Sequence, residues 1–391
     1  MAAISVKNNK PQHPAGRSGR YIAQPTGYRA FIPASLPPNP PILIDDELLA
    51  LLSNADRALG RLDGATELLP NPDLFVLMYV RKEAVLSSQI EGTQASLIDV
   101  LEFEGKAFDA VHTQDVEEVV NYQKAMTFGL KGLARLPLSL RLIREIHAKL
   151  MSGVRGSEKM PGEFRRSQNW IGPTSSTLAT ALFVPPPPPA TDTALGDWEK
   201  FLHSPDPMPF LLKVGMAHAQ FETIHPFLDG NGRIGRLLIT FMMCEQEILQ
   251  RPLLYLSHFF KRHQAEYYER LQGTRDTGDW EGWLKFFLRG VAEVAQAATE
   301  TARKIVKLRE EHRALVATSM GRNAAKGLEL LESLFFQPIG TVAAFADKTR
   351  LSFANTNKLA NVFVRLEILL ETTGQRRNRV FNYHSYLKRF V

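Results

Sequence analysis

Cysteine is almost missing from this chain, with Cys244 the only one in 391 residues. That excludes an intrachain disulfide and any cysteine-ligated zinc cluster, and it makes the cytoplasm the expected location. No apolar run approaches the roughly 18–20 residues needed to cross a bilayer, and the first residues lack the apolar core of a secretory signal. No membrane partner is expected. Extremes of composition are missing as well. Hydrophobic residues make up 44% and charged residues 23%, as in ordinary soluble globular proteins, and the length suggests two or three domains.

The charge that is present is unevenly placed. Residues 301–391 hold 16 Lys and Arg against 7 Asp and Glu, a balance of +9, whereas the whole chain carries +6. The basic excess belongs to the C-terminal stretch.

One short segment concentrates chemistry: His225-Pro226-Phe227-Leu228-Asp229-Gly230-Asn231-Gly232-Arg233-Ile234-Gly235-Arg236. Upstream, Phe210, Leu211, Val214, Ala217 and Phe221 recur at helical spacing, and Pro226 ends that helix near His225. Downstream, Ile234, Leu237, Leu238, Phe241 and Met242 repeat at three and four, so a second helix begins near Gly232 or Arg233. Free N–H groups and the dipole at a helix start favour an anion. Gly230 and Gly232 let the backbone approach a phosphate, and Asn231 can orient the turn and donate to a phosphate oxygen. Arg233 and Arg236 share a helix face, and guanidinium groups suit phosphate. Asp229 is a hard oxygen ligand of the kind Mg²⁺ takes. His225 is suited to proton transfer near neutrality.

The whole string resembles the Fic family signature, His-Pro-Phe-x-(Asp/Glu)-Gly-Asn-Gly-Arg-x-x-Arg, at every specified position. The resemblance implies a mainly α fold: a helical core with a small β-hairpin flap. It also implies transfer of AMP from ATP to a Ser, Thr or Tyr hydroxyl of a target protein, the chain itself included. By resemblance, His225 is the catalytic base and Asp229 holds Mg²⁺. The turn from Gly230 through Asn231 to Gly232, with Arg233, Ile234 and Gly235 behind it, binds ATP, and Arg236 pairs with the γ-phosphate. An aromatic side chain further on lines the adenine and ribose pocket; Tyr268 is the first candidate and Tyr267 the second.

A second segment, Ser87-Ser88-Gln89-Ile90-Glu91-Gly92, matches the family's inhibitory pattern (Ser/Thr)-x-x-x-Glu-(Gly/Asn). Ser87 and Glu91 share a helix face and Gly92 suits a helix C-terminus. The resemblance implies that Glu91 pairs with Arg236 and denies it to the γ-phosphate.

The rest of the chain divides into an extended arm over 1–42, an N-terminal helical region with the inhibitory motif over 43–112, a catalytic core over 113–300 and a basic module over 301–391. Residues 115–155 read as helical. Phe164–Ile171 and Ala181–Val184 read as two strands about a turn at Gly172–Thr177, the expected flap. The five prolines 185–189 read as a stiff spacer before a helix from Leu195. The C-terminal module reads as helices over Asn323–Phe336, Thr341–Lys348 and Ser352–Leu366, then Ile368–Thr372 and Val380–Tyr383 around a basic turn. That order resembles a winged helix-turn-helix. Asn355, Asn357, Lys358 and Asn361 would meet a groove of DNA, and Arg376, Arg377 and Arg379 its phosphates, within residues 340–380.

Three other readings compete. The same site could remove AMP from a modified protein, with Glu91 positioning a water. The chain could be a DNA-binding regulator in which the enzyme core is secondary. A zinc hydrolase would use His218, Glu222 and His225, but paired zinc histidines are usually four apart rather than seven. A homodimer could bury the inhibitory helix or pair two winged modules.

Overall fold

The computed structural model describes residues 16–67, 72–105, 113–173 and 175–390, and for Glu67 and Leu74 the backbone alone. Two short strands, β1 (Gly19–Ala23) and β2 (Arg29–Pro33), come first. Helices α1 (Asp46–Glu67), α2 (Pro72–Ile90), α3 (Leu97–Glu104), α4 (Gln114–Leu133) and α5 (Leu140–Leu150) follow. Next are α6 (Pro188–Leu202), α7 (Phe210–Ile224), α8 (Asn231–Glu245), α9 (Ser257–Arg262), α10 (Gln264–Thr277) and α11 (Trp280–Ser319). The chain closes with α12 (Ala324–Phe336), β3 (Ile339–Thr341), α13 (Val342–Thr349), α14 (Phe353–Arg365), β4 (Leu370–Glu371), β5 (Val380–Asn382) and α15 (His384–Leu387).

Two compact units are present, each discontinuous in sequence. The first takes its described residues from 1–52, 164–231 and 264–288; the second from 53–163, 232–263 and 289–391.

The first unit is built around α7. Leu211 through Ile224 are all buried, so beyond the apolar stripe the spacing predicts, the polar Lys213, His218, Gln220, Glu222 and Thr223 are enclosed as well. Two indoles fix it: Trp198 donates to the Ala217 carbonyl at 2.8 Å and Trp283 to that of Gly215 at 2.8 Å. A side chain at Gly215 would run into Leu284 and Phe287, so glycine permits this packing. The helix stops at His225, whose φ of 49° and ψ of 59° are left-handed; Pro226 then prevents continuation.

Three expectations change here. The stretch read as an extended arm forms an antiparallel hairpin, with Tyr21 paired to Phe31 in register. Ala30 and Phe31 are buried, so the hairpin has a core side. Residues 1–15 of that stretch lie outside the described residues. The expected flap strands reduce to a single bridge, Ile171 to Phe183. Pro173 and the run from Pro185 lack N–H donors and cannot extend a ladder; Thr174, in the expected turn, lies outside the described residues. The proline spacer is shorter than read, because α6 begins at Pro188 with proline in its first turn, where a missing N–H costs nothing.

In the second unit, side-chain caps mark where helices begin. Ser96 and Asp99 form a reciprocal capping box at α3, and Thr113 and Ser139 cap α4 and α5. On α5, Leu142, Ile143, Ile146 and Leu150 are buried, the stripe their spacing predicts. Gly129 of α4 lets the fully buried Phe241 ring of α8 lie against its backbone. Burial of such a ring contributes about 1.5–3 kcal/mol. The C-terminal elements appear in the order read from the sequence, and β3 is added to them, giving an antiparallel sheet of order β3-β5-β4.

Candidate functional site

The His225–Arg236 motif divides between the two units at Asn231 and Gly232, and each half has its own geometry.

In the first unit the loop is held by its own asparagine and by residues the sequence did not single out. Asn231 Oδ1 accepts from the Phe227 N–H at 2.8 Å, and its Nδ2 donates to the Phe227 carbonyl at 2.7 Å. The expected phosphate donor is therefore spent on closing the loop. Arg165 Nε donates to the His225 carbonyl at 2.9 Å, and its backbone N–H to the Pro226 carbonyl at 2.9 Å. Asn169 Nδ2 reaches the carbonyls of His225 at 3.2 Å and Phe227 at 2.9 Å. Arg165 and Asn169 lie in the stretch read as a flap strand; instead they pin the loop. On the other side, Arg275 donates to Thr223 Oγ1 at 3.1 Å and to the Glu222 carbonyl at 3.2 Å.

These cations shape His225. Desolvation first, and then the Arg275 and Arg165 charges, lower its pKa to about 3. The ring is neutral at pH 7 and can accept a proton. Asp229 Oδ1 accepts from the Gly230 N–H at 2.6 Å, and Gly230 has a φ of 76°, which glycine tolerates without strain.

Tyr267 and Tyr268 separate clearly. Tyr267 is buried and shares a 2.9 Å hydrogen bond with His218 Nε2, whereas Tyr268 is 46% exposed. The exposed ring is the one a ligand can reach.

The second unit holds the other half. Arg236 is buried and gathers three acceptors from α2 and the residue that follows it: Ser87 Oγ at 2.8 Å, the Ser87 carbonyl at 2.9 Å and Glu91 Oε1 at 2.6 Å. Gly92 follows with a φ of 100°, the left-handed helix end its type predicts. A side chain at Gly232 would collide with Glu91 Oε1. Glycine there lets the carboxylate lie against the start of α8, where the helix dipole favours negative charge. The Glu91 carboxylate thus sits between a helix N-terminus and an arginine.

Arg233 is also committed. It pairs with Glu118 of α4, with Nη1 to Oε2 at 3.5 Å, and contacts Met151 Sδ at 3.4 Å. Glu118 accepts from Thr93 Oγ1 at 3.0 Å as well, just beyond Gly92. Ile234 is buried, so only its backbone is available to a ligand.

Glu83 of α2 was not foreseen. It accepts from Ser257 Oγ at 2.5 Å and from the Tyr122 hydroxyl at 3.1 Å. Burial raises its pKa to about 7, against lowering by the Ser257 bond and the Arg236 charge. A carboxyl with a folded pKa above its ordinary 4.5 destabilises the fold as pH rises from about 4.5 through about 7, because the unfolded chain gives up the proton first. Glu83→Gln should therefore raise the melting temperature by a few degrees at pH 8, at roughly 2–4 °C per kcal/mol, and by less at pH 5. Thermal melts at the two pH values check this; equal shifts would contradict it.

Among the described residues, no three His, Cys, Asp or Glu side chains gather to hold a metal. Asp229 is a single carboxylate, and such a ligand set suits Mg²⁺ held jointly with substrate phosphates.

This geometry defines a class of protein, and comparison with known proteins agrees. Residues 49–131 match the Fic/DOC family N-terminal model, and residues 137–243 the Fic/DOC family model. Over these two regions the chain carries the family's N-terminal and Fic domains. A protein named protein adenylyltransferase Fic from Aedes aegypti is 29% identical over 214 residues, which cover 53% of this chain and 38% of that protein. One of the same name from Drosophila mojavensis is 26% identical, covering 65% of this chain and 47% of that one. The chain thus spans less than half the length of these relatives. A Fic family protein from Desulfovibrio desulfuricans superposes with a TM-score of 0.58 at 18% identity, over 88% of this chain and 97% of the other. A Fic domain containing signaling protein from Bacteroides thetaiotaomicron gives 0.51 at 15%, over 64% and 97%. The fold is that of Fic proteins.

No helix among the described residues is long and apolar enough to cross a membrane.

Proposed function

We propose that this chain transfers AMP from ATP to a Ser, Thr or Tyr hydroxyl of a protein, itself included, and that Glu91 restrains the reaction by occupying Arg236. The observation that carries this reading is the 2.6 Å contact from Arg236 to Glu91 beside the start of α8. That is where a triphosphate would need both groups.

The chemistry follows from the residue types. Neutral His225 takes the proton of the attacking hydroxyl. The hydroxyl oxygen bonds to the α-phosphorus, the bond from that phosphorus to the bridging β-phosphate oxygen breaks, and pyrophosphate leaves. The N–H groups after Gly230 and the α8 dipole face the negative charge of the phosphates. Arg236, once released, clamps the γ-phosphate. Asp229 would hold Mg²⁺, which neutralises phosphate charge when bound. Arg165 and Asn169 fix the carbonyls around His225 and so keep the base in place. The exposed Tyr268 ring offers a face for adenine, and the segment around the Ile171–Phe183 bridge an edge for an extended target.

ATP labelled on the α-phosphate or on the γ-phosphate separates AMP transfer from other phosphoryl chemistry. Incubated with the Glu91→Gly chain and a lysate, α-label should become protein-bound and γ-label should not. Protein-bound γ-label, or neither, would contradict the proposal. Loss of AMP from a pre-modified protein only when Glu91 is present would identify removal as the reaction.

A further inference from the structure

The basic C-terminal stretch is not used by the chemistry above, and its geometry points elsewhere. Within the second unit, α13 and α14 are followed by the β4–β5 hairpin, whose tip is shaped by Glu371. The Glu371 carboxylate accepts from the N–H groups of Thr373 at 2.9 Å and Gly374 at 3.1 Å. Between the start of α14 and the hairpin is a cleft of about 740 Å³ lined by Phe353, Asn357 and the run from Gln375 to Arg379, with no acidic residue in its wall.

Arg379 is the built element of this cleft. Its Nη2 donates to Asn357 Oδ1 at 2.6 Å, and its Nη1 and Nη2 each donate to Asn361 Oδ1 at 3.0 Å. The guanidinium also lies 4.9 Å over the Phe381 ring. These hydrogen-bond partners are neutral and hold the cation in place; the Glu371 carboxylate on the same hairpin offsets part of its charge, and the exposed Arg376 and Arg377 add two further cations. This revises the expectation that Asn357 and Asn361 read bases: both orient Arg379. The α14 face left for a ligand carries Asn355 and Lys358, and Phe353, 61% exposed at the helix start. Arg376 and Arg377 are exposed on the hairpin beside it.

We propose that α14 and the β4–β5 hairpin form a winged-helix seat for duplex DNA. Phe353, Asn355 and Lys358 enter the major groove, and Arg376, Arg377 and the pre-set Arg379 take the flanking phosphates. Charge and shape favour a duplex over an acidic peptide. A lone helix flanked by a cationic arm fits a groove about 12 Å wide, and the arm's three arginines can follow a phosphate backbone. Phe353 offers an apolar contact of the kind a thymine methyl accepts.

Fluorescence anisotropy with the full chain and a random-sequence duplex tests the proposal between about 50 and about 200 mM salt. The wild type should bind, and its affinity should fall linearly with salt on logarithmic axes. Arg376→Ala/Arg377→Ala, which changes exposed residues only, should lower that slope by about 2 and leave the melting temperature unchanged. Asn357→Ala/Asn361→Ala should weaken binding about tenfold by releasing Arg379. No binding at the lower salt, an unchanged slope in the arginine variant, or equal or tighter binding of polyglutamate or single-stranded RNA would overturn the proposal. None of these outcomes bears on AMP transfer, which is read separately.

Discussion

Glu91→Gly should raise AMP labelling by about ten- to a hundredfold over the unchanged chain. Arg236 is buried, and its guanidinium is engaged by Ser87 and by Glu91 at 2.6 Å. Charge-assisted hydrogen bonds of this kind contribute about 1.5–3 kcal/mol each, and each 1.4 kcal/mol is about a factor of ten. A γ-phosphate arriving in the presence of Glu91 must displace it or forgo the clamp. The glycine variant removes the competitor while both Ser87 contacts remain. It also removes the carboxylate from its place against Gly232, freeing the start of α8 for a phosphate. The introduced glycine would stand just before Gly92 at the end of α2, so the helix keeps a tolerant terminus. Radiolabel incorporation per mole of protein measures the effect, and no change would remove Glu91 from the account.

His225→Ala should lower AMP transfer by about 10²–10⁴-fold, the usual contribution of a positioned general base, when made in the Glu91→Gly background where the rate is measurable. The ring is neutral because burial and the Arg275 and Arg165 charges hold its pKa near about 3. Such a weak base gains strength when a bound triphosphate brings negative charge beside it. Arg165 and Asn169 bond to the loop carbonyls rather than to the ring, so the variant should keep its fold. ATP binding that persists while transfer is lost would separate the base from the cradle. Retained transfer would place the base elsewhere.

Much of this site was legible because its chemistry sits in consecutive residues. A base, a carboxylate, paired glycines and arginines three apart have a spacing that can be read without tertiary structure. Ser87 and Glu91 were legible for the same reason, being one helical turn apart. What was not legible is what distant segments bring. Glu118, Glu83, Arg165, Asn169 and Arg275 come from elsewhere in the chain, and a single charged or amide residue carries no periodicity. Three C-terminal helices were read from the sequence, whereas β3 is three residues long and α15 four, too short to show a period. Asn231, Asn357 and Asn361 show a further limit. Their types suggested ligand contact, yet the buried Asn231 spends both ends of its amide on the loop, and the half-buried Asn357 and Asn361 turn their amide oxygens to Arg379.

The central claim is that Glu91 and the γ-phosphate compete for Arg236, and nucleotide titration calorimetry tests it most directly. ATP and ADP should be titrated into the wild-type chain, Glu91→Gly and Glu91→Gly/Arg236→Ala. ATP affinity should rise in Glu91→Gly by about tenfold or more, ADP affinity should rise by less, and the excess gain for ATP should vanish in the double variant. Equal changes for ATP and ADP, or an excess gain for ATP that survives loss of Arg236, would contradict the claim.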